Sequence, residues 1–98
     1  MAQVVLAEGA RADLDRLVDF LAAEDPLAAQ EAISTILDAF GVLERHPLIG
    51  RPMEKALRAL VISRGKSGYV ALYDYYEARD TVIILALRHQ REAGFPAG

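Results

Sequence analysis

The stretch GYVALYDYYEARDTVIILALRHQR, residues 68–91, decides how this chain folds. Tyr69, Ala71, Tyr73 and Tyr75 alternate with Val70, Leu72, Asp74 and Tyr76, the period of a strand whose two faces differ. A polar turn follows at Glu77-Ala78-Arg79-Asp80. Beyond it, Val82-Ile83-Ile84-Leu85-Ala86-Leu87 has no polar member. A strand that is apolar on both faces needs cover on both. Two adjacent strands are therefore predicted, closing on a cluster of Arg88, His89 and Arg91.

Residues 56–63 (ALRALVIS), just upstream, read as another strand, joined to the first by the turn Arg64-Gly65-Lys66-Ser67. Short turns between three successive strands predict an antiparallel meander. Further upstream lie two amphipathic segments. The first, over about 8–23, sets Ala10, Leu14, Leu17, Val18 and Leu21 on one face at helical spacing. Asp13, Asp15, Arg16 and Asp19 are expected on the solvated face opposite. No good N-cap residue precedes it, so this helix starts weakly. The second helix opens on Asp25 as N-cap with Pro26 in its first turn, and runs to about residue 45. Its expected stripe is Ala29, Ile33, Ile36, Leu37, Phe40 and Leu43, with Gly41 marking a close contact. So short a break between two helices predicts an antiparallel hairpin. His46-Pro47 ends the second helix, and residues 47–52 (PLIGRP) read as loop. Residues 3–7 (QVVLA) make a short first strand, whose pairing partner the pattern does not identify.

The predicted fold is therefore α+β, in the order β-α-α-β-β-β, as a single domain over residues 1–98. The helical hairpin packs on one face of an antiparallel-dominated sheet of about four strands. The sheet's other face is expected to present an apolar patch, and a patch of that kind points to a partner.

Composition narrows the class. Hydrophobic residues make up 53% and charged residues 26%, the balance of a globular chain. With no cysteine, neither a disulfide nor a thiolate metal site is available. Only two histidines occur, His46 and His89, without carboxylates at ligand spacing, so no metal or other cofactor is expected. No signal peptide or membrane span is visible, and the cytoplasm is the expected compartment. The net charge of −3 divides unevenly: residues 1–50 hold three basic and nine acidic side chains, residues 51–98 eight and five. That total argues against direct, sequence-specific nucleic-acid binding as the main task.

The motifs then resemble a known family. They are, in order, Ala10-x-x-Asp13-Leu14, Asp25-Pro26-x-Ala28-Ala29, His46-Pro47-x-x-Gly50-Arg51-Pro52, Arg58-x-Leu60, residues 68–73 (GYVALY) and residues 84–91 (ILALRHQR). Together they resemble the RelE/ParE superfamily of bacterial toxins from type II toxin–antitoxin modules, with the ParE-like branch favoured. The resemblance implies a cognate, ParD-like antitoxin that covers the toxin, and a role such as plasmid stabilisation. It also implies one of two activities. ParE-like toxins bind DNA gyrase and inhibit it, whereas RelE-like toxins cleave messenger RNA on the ribosome.

RNA cleavage through the 2′-hydroxyl requires a base, an acid and cations for the phosphorane charge. The candidates for it are Arg58, Arg64, Arg88 and His89, with Lys66 and Arg91 nearby. Arg88 and His89 are neighbours on a strand and point to opposite faces. The C-terminal tyrosine that the nuclease resemblance implies is replaced by Phe95, which moves no proton. Partner binding is thus the preferred reading, with Arg58, Tyr73, Tyr75, Arg88, Arg91 and Phe95 as candidate contacts.

Overall fold

The computed structural model describes residues 1–63 and 68–89. Its elements are β1 (Gln3–Leu6), α1 (Glu8–Glu24), α2 (Pro26–Arg45), β2 (Arg51–Pro52), β3 (Arg58–Ser63), β4 (Tyr69–Tyr76) and β5 (Thr81–His89). Short 3₁₀ turns lie at Glu54–Ala56 and Glu77–Arg79. The five strands form one sheet in the order β1-β5-β4-β3-β2. The meander β3-β4-β5 is antiparallel, and β1 joins it in parallel on β5.

The sheet has one strand more than the sequence suggested. Arg51 and Pro52, expected in a loop, pair with Ala59 and Arg58. Two residues carry no period, so a strand this short leaves no pattern to read. The next strand starts at Arg58 rather than Ala56, because Lys55 and Ala56 take positive φ angles of 61° and 65° in the turn between β2 and β3.

Both helices lie on one face of the sheet. Their contribution to the core is Ala10, Leu17, Ala32, Ile36, Phe40 and Leu43, packed on Tyr69, Ala71, Tyr73, Val82, Ile84 and Leu87. Helix α1 has no side-chain cap, whereas Asp25 caps α2 by accepting from Leu27 N at 3.0 Å. In α2 the buried stripe runs through Ala29, Ala32, Ile36, Ala39, Phe40 and Leu43. Leu37 does not belong to it and is 58% exposed, because one residue past Ile36 the helix has turned about 100°. The small Ala32 and Ala39 take that place and let α2 approach closely.

The pairing of β4 with β5 contains an irregularity that changes which side chains are buried. Leu72 pairs with Ala86 and Tyr73 with Ile84, so Leu85 has no partner on β4. An extra residue of this kind is a β-bulge, and it reverses the alternation beyond it. Val82, Ile84 and Leu87 consequently all face the helices, at spacings of two and three.

The sheet's second face is less bare than expected. Val70, Leu72, Ile83 and Ala86 on it are half-buried, although Val61 and Tyr76 are exposed. Other exposed large hydrophobic side chains lie elsewhere: Phe20, Leu27 and Leu37 on the helices, Leu48 and Ile49 in the loop after α2. None of the described helices is long and apolar enough to cross a membrane.

Candidate functional site

Two polar knots hold the ends of the sheet, and between them they engage the candidates Arg58, Tyr73 and Arg88. The first ties the loop after α2 to the meander. Tyr73 is fully buried, and its hydroxyl donates to Pro47 O at 2.8 Å while accepting from Gly50 N at 2.8 Å. Arg58, paired with Tyr73 across β3 and β4, donates through Nη1 to Leu48 O at 3.0 Å and Gly50 O at 2.8 Å. Ile49 N closes the loop on His46 O. Gly50 is required because of this approach. A Cβ there would lie 2.6 Å from the Tyr73 hydroxyl oxygen and 2.7 Å from its Cε1. Gly41, where a close contact was expected, has only Arg45 Nη1 at 3.9 Å, an ordinary contact.

Burial is the largest influence on the Tyr73 hydroxyl and pushes its pKa above the ordinary value. The Gly50 bond and the Arg58 charge oppose that without reversing it. A proton held this way, in the core and already bonded to a carbonyl, is structural. It also means that Tyr73, a candidate partner contact, lies beneath the surface. Tyr75 is half-buried, and its hydroxyl donates to Asp80 Oδ1 at 2.6 Å. That bond to an acceptor raises the Tyr75 pKa more than burial does.

The second knot lies at the far end of β5. β1 pairs only with residues 81–84, so beyond Ile84 the outer edge of β5 has no strand beside it among the described residues. Helix α1 passes there instead, close enough that a Cβ on Gly9 would sit 3.4 Å from Leu85 O. Asp13 satisfies the edge. Its Oδ2 accepts from Leu87 N at 3.0 Å, and its Oδ1 accepts from Arg88 Nη1 at 3.0 Å. Asp13 is 8% exposed, so its expected place on the solvated face is corrected. It lies in phase with Ala10 and Leu17, at spacings of three and four, and that phase was the available signal.

These placements separate the candidate nuclease residues. Arg58 lies opposite Tyr73 on the helix side of the sheet, and Arg88 lies opposite Val70 on the other side. Three positions along β4 divide them, about 10 Å at ~3.3 Å per residue. His89 shares the face of Tyr69, whose ring it meets edge-on at 5.5 Å. Burial raises the pKa of Tyr69. Arg64, Lys66, Arg91 and Phe95 lie outside the described residues. Among the described residues, no three His, Asp or Glu side chains are grouped to hold a metal ion.

The surface beside the first knot is concave. A groove of about 690 Å³ is lined by Arg45, His46, Pro47, Leu48, Ile49, Tyr75 and Glu77. A second groove, of about 350 Å³, runs between α2 and the outer edge of β3. Both are open and line mostly with apolar surface. Neither encloses a volume that would bury most of a small molecule's surface.

Comparison with known proteins is consistent with these features. The family described as "ParE toxin of type II toxin-antitoxin system, parDE" matches residues 4–94. Toxin RelE3 of Caulobacter vibrioides is 38% identical over 92 residues, covering 94% of this chain and 98% of its own length. Toxin RelE2 of the same organism is 37% identical over 89 residues, covering 91% and 96%. Among solved structures, the toxin–antitoxin complex RelBE2 from Mycobacterium tuberculosis contains a chain with TM-score 0.62 and 27% identity, covering 91% of this chain and 98% of that one. The chromosomal ParDE system from P. aeruginosa gives TM-score 0.74 at 24% identity, with 91% and 96% covered, a likeness of fold.

Proposed function

The chain belongs to the ParE toxin family of type II toxin–antitoxin systems, and on that premise we propose that it acts by binding DNA gyrase and is silenced by a ParD-like antitoxin. The commitment of its arginines supports this reading most. A nuclease needs cations converging on one phosphate, with a base and an acid beside them. Here Arg58 is engaged by two loop carbonyls beside Tyr73, and Arg88 is held by Asp13 at the outer edge of β5. The buried Tyr73 hydroxyl is bonded on both sides. A protein-binding inhibitor needs none of that convergence. It needs a rigid surface with apolar anchors, and Leu48 and Ile49 provide one on a loop whose carbonyls are held from within.

The second reading, ribosome-dependent cleavage of messenger RNA, is favoured by the RelE names of the two curated relatives. One pair of assays separates the two. The purified protein is added to a gyrase supercoiling reaction and, in parallel, to a ribosome-programmed message. Loss of supercoiling with an intact message is the expected result. Message cleavage that Arg58→Ala or Arg88→Ala abolishes would overturn the gyrase reading.

A further inference from the structure

We propose that the loop at residues 46–50 is the element that gyrase recognises, with Leu48 and Ile49 entering an apolar recess on the target and Arg45 and Arg51 meeting acidic side chains around it. This rests on the gyrase reading above and adds which element makes the contact and what chemistry it selects.

The backbone makes the first argument. Pro47 O, Leu48 O and Gly50 O accept from Tyr73 and Arg58 beneath the loop, at 2.8, 3.0 and 2.8 Å. Gly50 N donates to the Tyr73 hydroxyl and Ile49 N to His46 O. With these polar groups held from within, the loop turns its aliphatic side chains outward: Leu48 is 55% and Ile49 53% exposed. Both line the open groove of about 690 Å³. A loop pinned in the free toxin loses little further entropy when a partner closes on it. Paired apolar anchors on such a support are the form that an interface centre takes.

Charge makes the second. Residues 1–44 hold nine acidic side chains against Arg11 and Arg16. The sign then reverses, because residues 45–58 hold Arg45, Arg51, Lys55 and Arg58 against Glu54 alone. Arg45 lines the groove and Arg51 opens β2, both exposed, on either side of the anchors along the chain. An apolar tip between cations, on an otherwise acidic surface, selects an apolar recess with an acidic rim. A nucleic-acid backbone would match the cations and leave Leu48 and Ile49 without apolar contact. A second copy would bring its own basic loop, a like-charge pairing, or its acidic helices head to tail, which builds rings or filaments rather than a closed pair.

The test titrates the purified toxin into a gyrase supercoiling reaction and measures its binding to gyrase without DNA. Leu48→Asp with Ile49→Asp is expected to raise the half-inhibiting concentration at least about tenfold. Leu37→Asp, at a leucine 58% exposed on α2, is the control and is expected to leave it unchanged. Arg45→Glu with Arg51→Glu is expected to weaken binding about fivefold to tenfold and to reduce its salt dependence. Glu77→Gln, which removes the acid from the groove's lining, is expected to tighten binding about twofold. A melt of each variant checks its folding. Folded loop variants that bind and inhibit as the wild type does overturn the proposal while leaving the gyrase reading intact. So does unchanged inhibition accompanied by lost antitoxin binding, lost DNA binding or lost self-association, which assigns the loop to the antitoxin, to nucleic acid or to a second copy. Wild-type toxin that leaves supercoiling untouched overturns both readings together.

Discussion

The carboxylate of Asp13 and the guanidinium of Arg88 meet at 3.0 Å across 75 residues of sequence, joining the middle of α1 to the end of β5. The same carboxylate accepts the Leu87 N–H. One side chain thus does the work of a missing strand and neutralises an arginine that keeps about a third of its surface in water. Arg88 Nε is buried without a partner among the described residues, so the guanidinium depends on Asp13.

Asp13→Ala leaves the Leu87 N–H and the Arg88 charge without their acceptor. A loss of about 2–3 kcal/mol is expected, below the range for fully buried pairs because Arg88 is partly solvated. Asp13→Asn keeps an acceptor for Leu87 N and is expected to lose about half as much. Urea unfolding of the two variants measures the difference, and equal losses would show that the charge contributes little.

Tyr73→Phe removes both the bond to Pro47 O and the bond from Gly50 N. The expected loss is about 1–3 kcal/mol near neutral pH, because Gly50 N is left in a buried place without an acceptor. The pH dependence is also predicted. The folded Tyr73 pKa is raised, so above the unfolded value of about 10 the unfolded chain releases protons that the folded chain retains. Stability is full below pH ~10 and falls as pH climbs toward the raised folded value. Tyr69, also raised by burial, shares the effect, so Tyr73→Phe should shallow the alkaline fall without removing it.

Gly50→Ala brings a methyl group within 2.6 Å of the Tyr73 hydroxyl oxygen, and that ring is fully buried and cannot swing aside. Displacement of the loop and a loss of at least about 2 kcal/mol are expected. Gly41→Ala is the control. Its new Cβ meets only the far end of Arg45, and replacing a helical glycine should stabilise by about 0.5–1 kcal/mol.

Lys55 and Ala56 both adopt left-handed backbone in the turn that returns β2 to β3. Each such residue without a glycine's freedom costs roughly 1–2 kcal/mol. Lys55→Asn with Ala56→Gly, the residue pair this turn prefers, is expected to raise stability by about 1 kcal/mol and Tm by about 4–8 °C. An unchanged melting temperature would mean that the turn holds little strain.

The sequence alone determined the layers. Period-two alternation at residues 69–76, the apolar run after it and two amphipathic segments divided by Asp25-Pro26 were sufficient for a helical hairpin on an antiparallel meander. Each of those signals is local, carried by residues within one element, and so is legible in order along the chain. The motif series likewise reached the toxin family that the relatives bear out.

Tertiary structure decided the rest. Strict alternation along β5 would set Arg88 on the same face as Val82 and Ile84. The bulge at Leu85 reverses this, so His89 faces the helices and Arg88 reaches round the edge to Asp13. A bulge leaves no residue signature here, because Leu85 sits in a run where every member is apolar. Sequence alone places Asp13 in solvent, where most helix acids lie, because its partner is 75 residues away. Tyr73 is a candidate partner contact by sequence, yet the Pro47–Gly50 loop folds over it and takes both its bonds. In each case the deciding contact joins elements distant in sequence, so the geometry that fixes a side chain's role exists only once the chain has closed on itself.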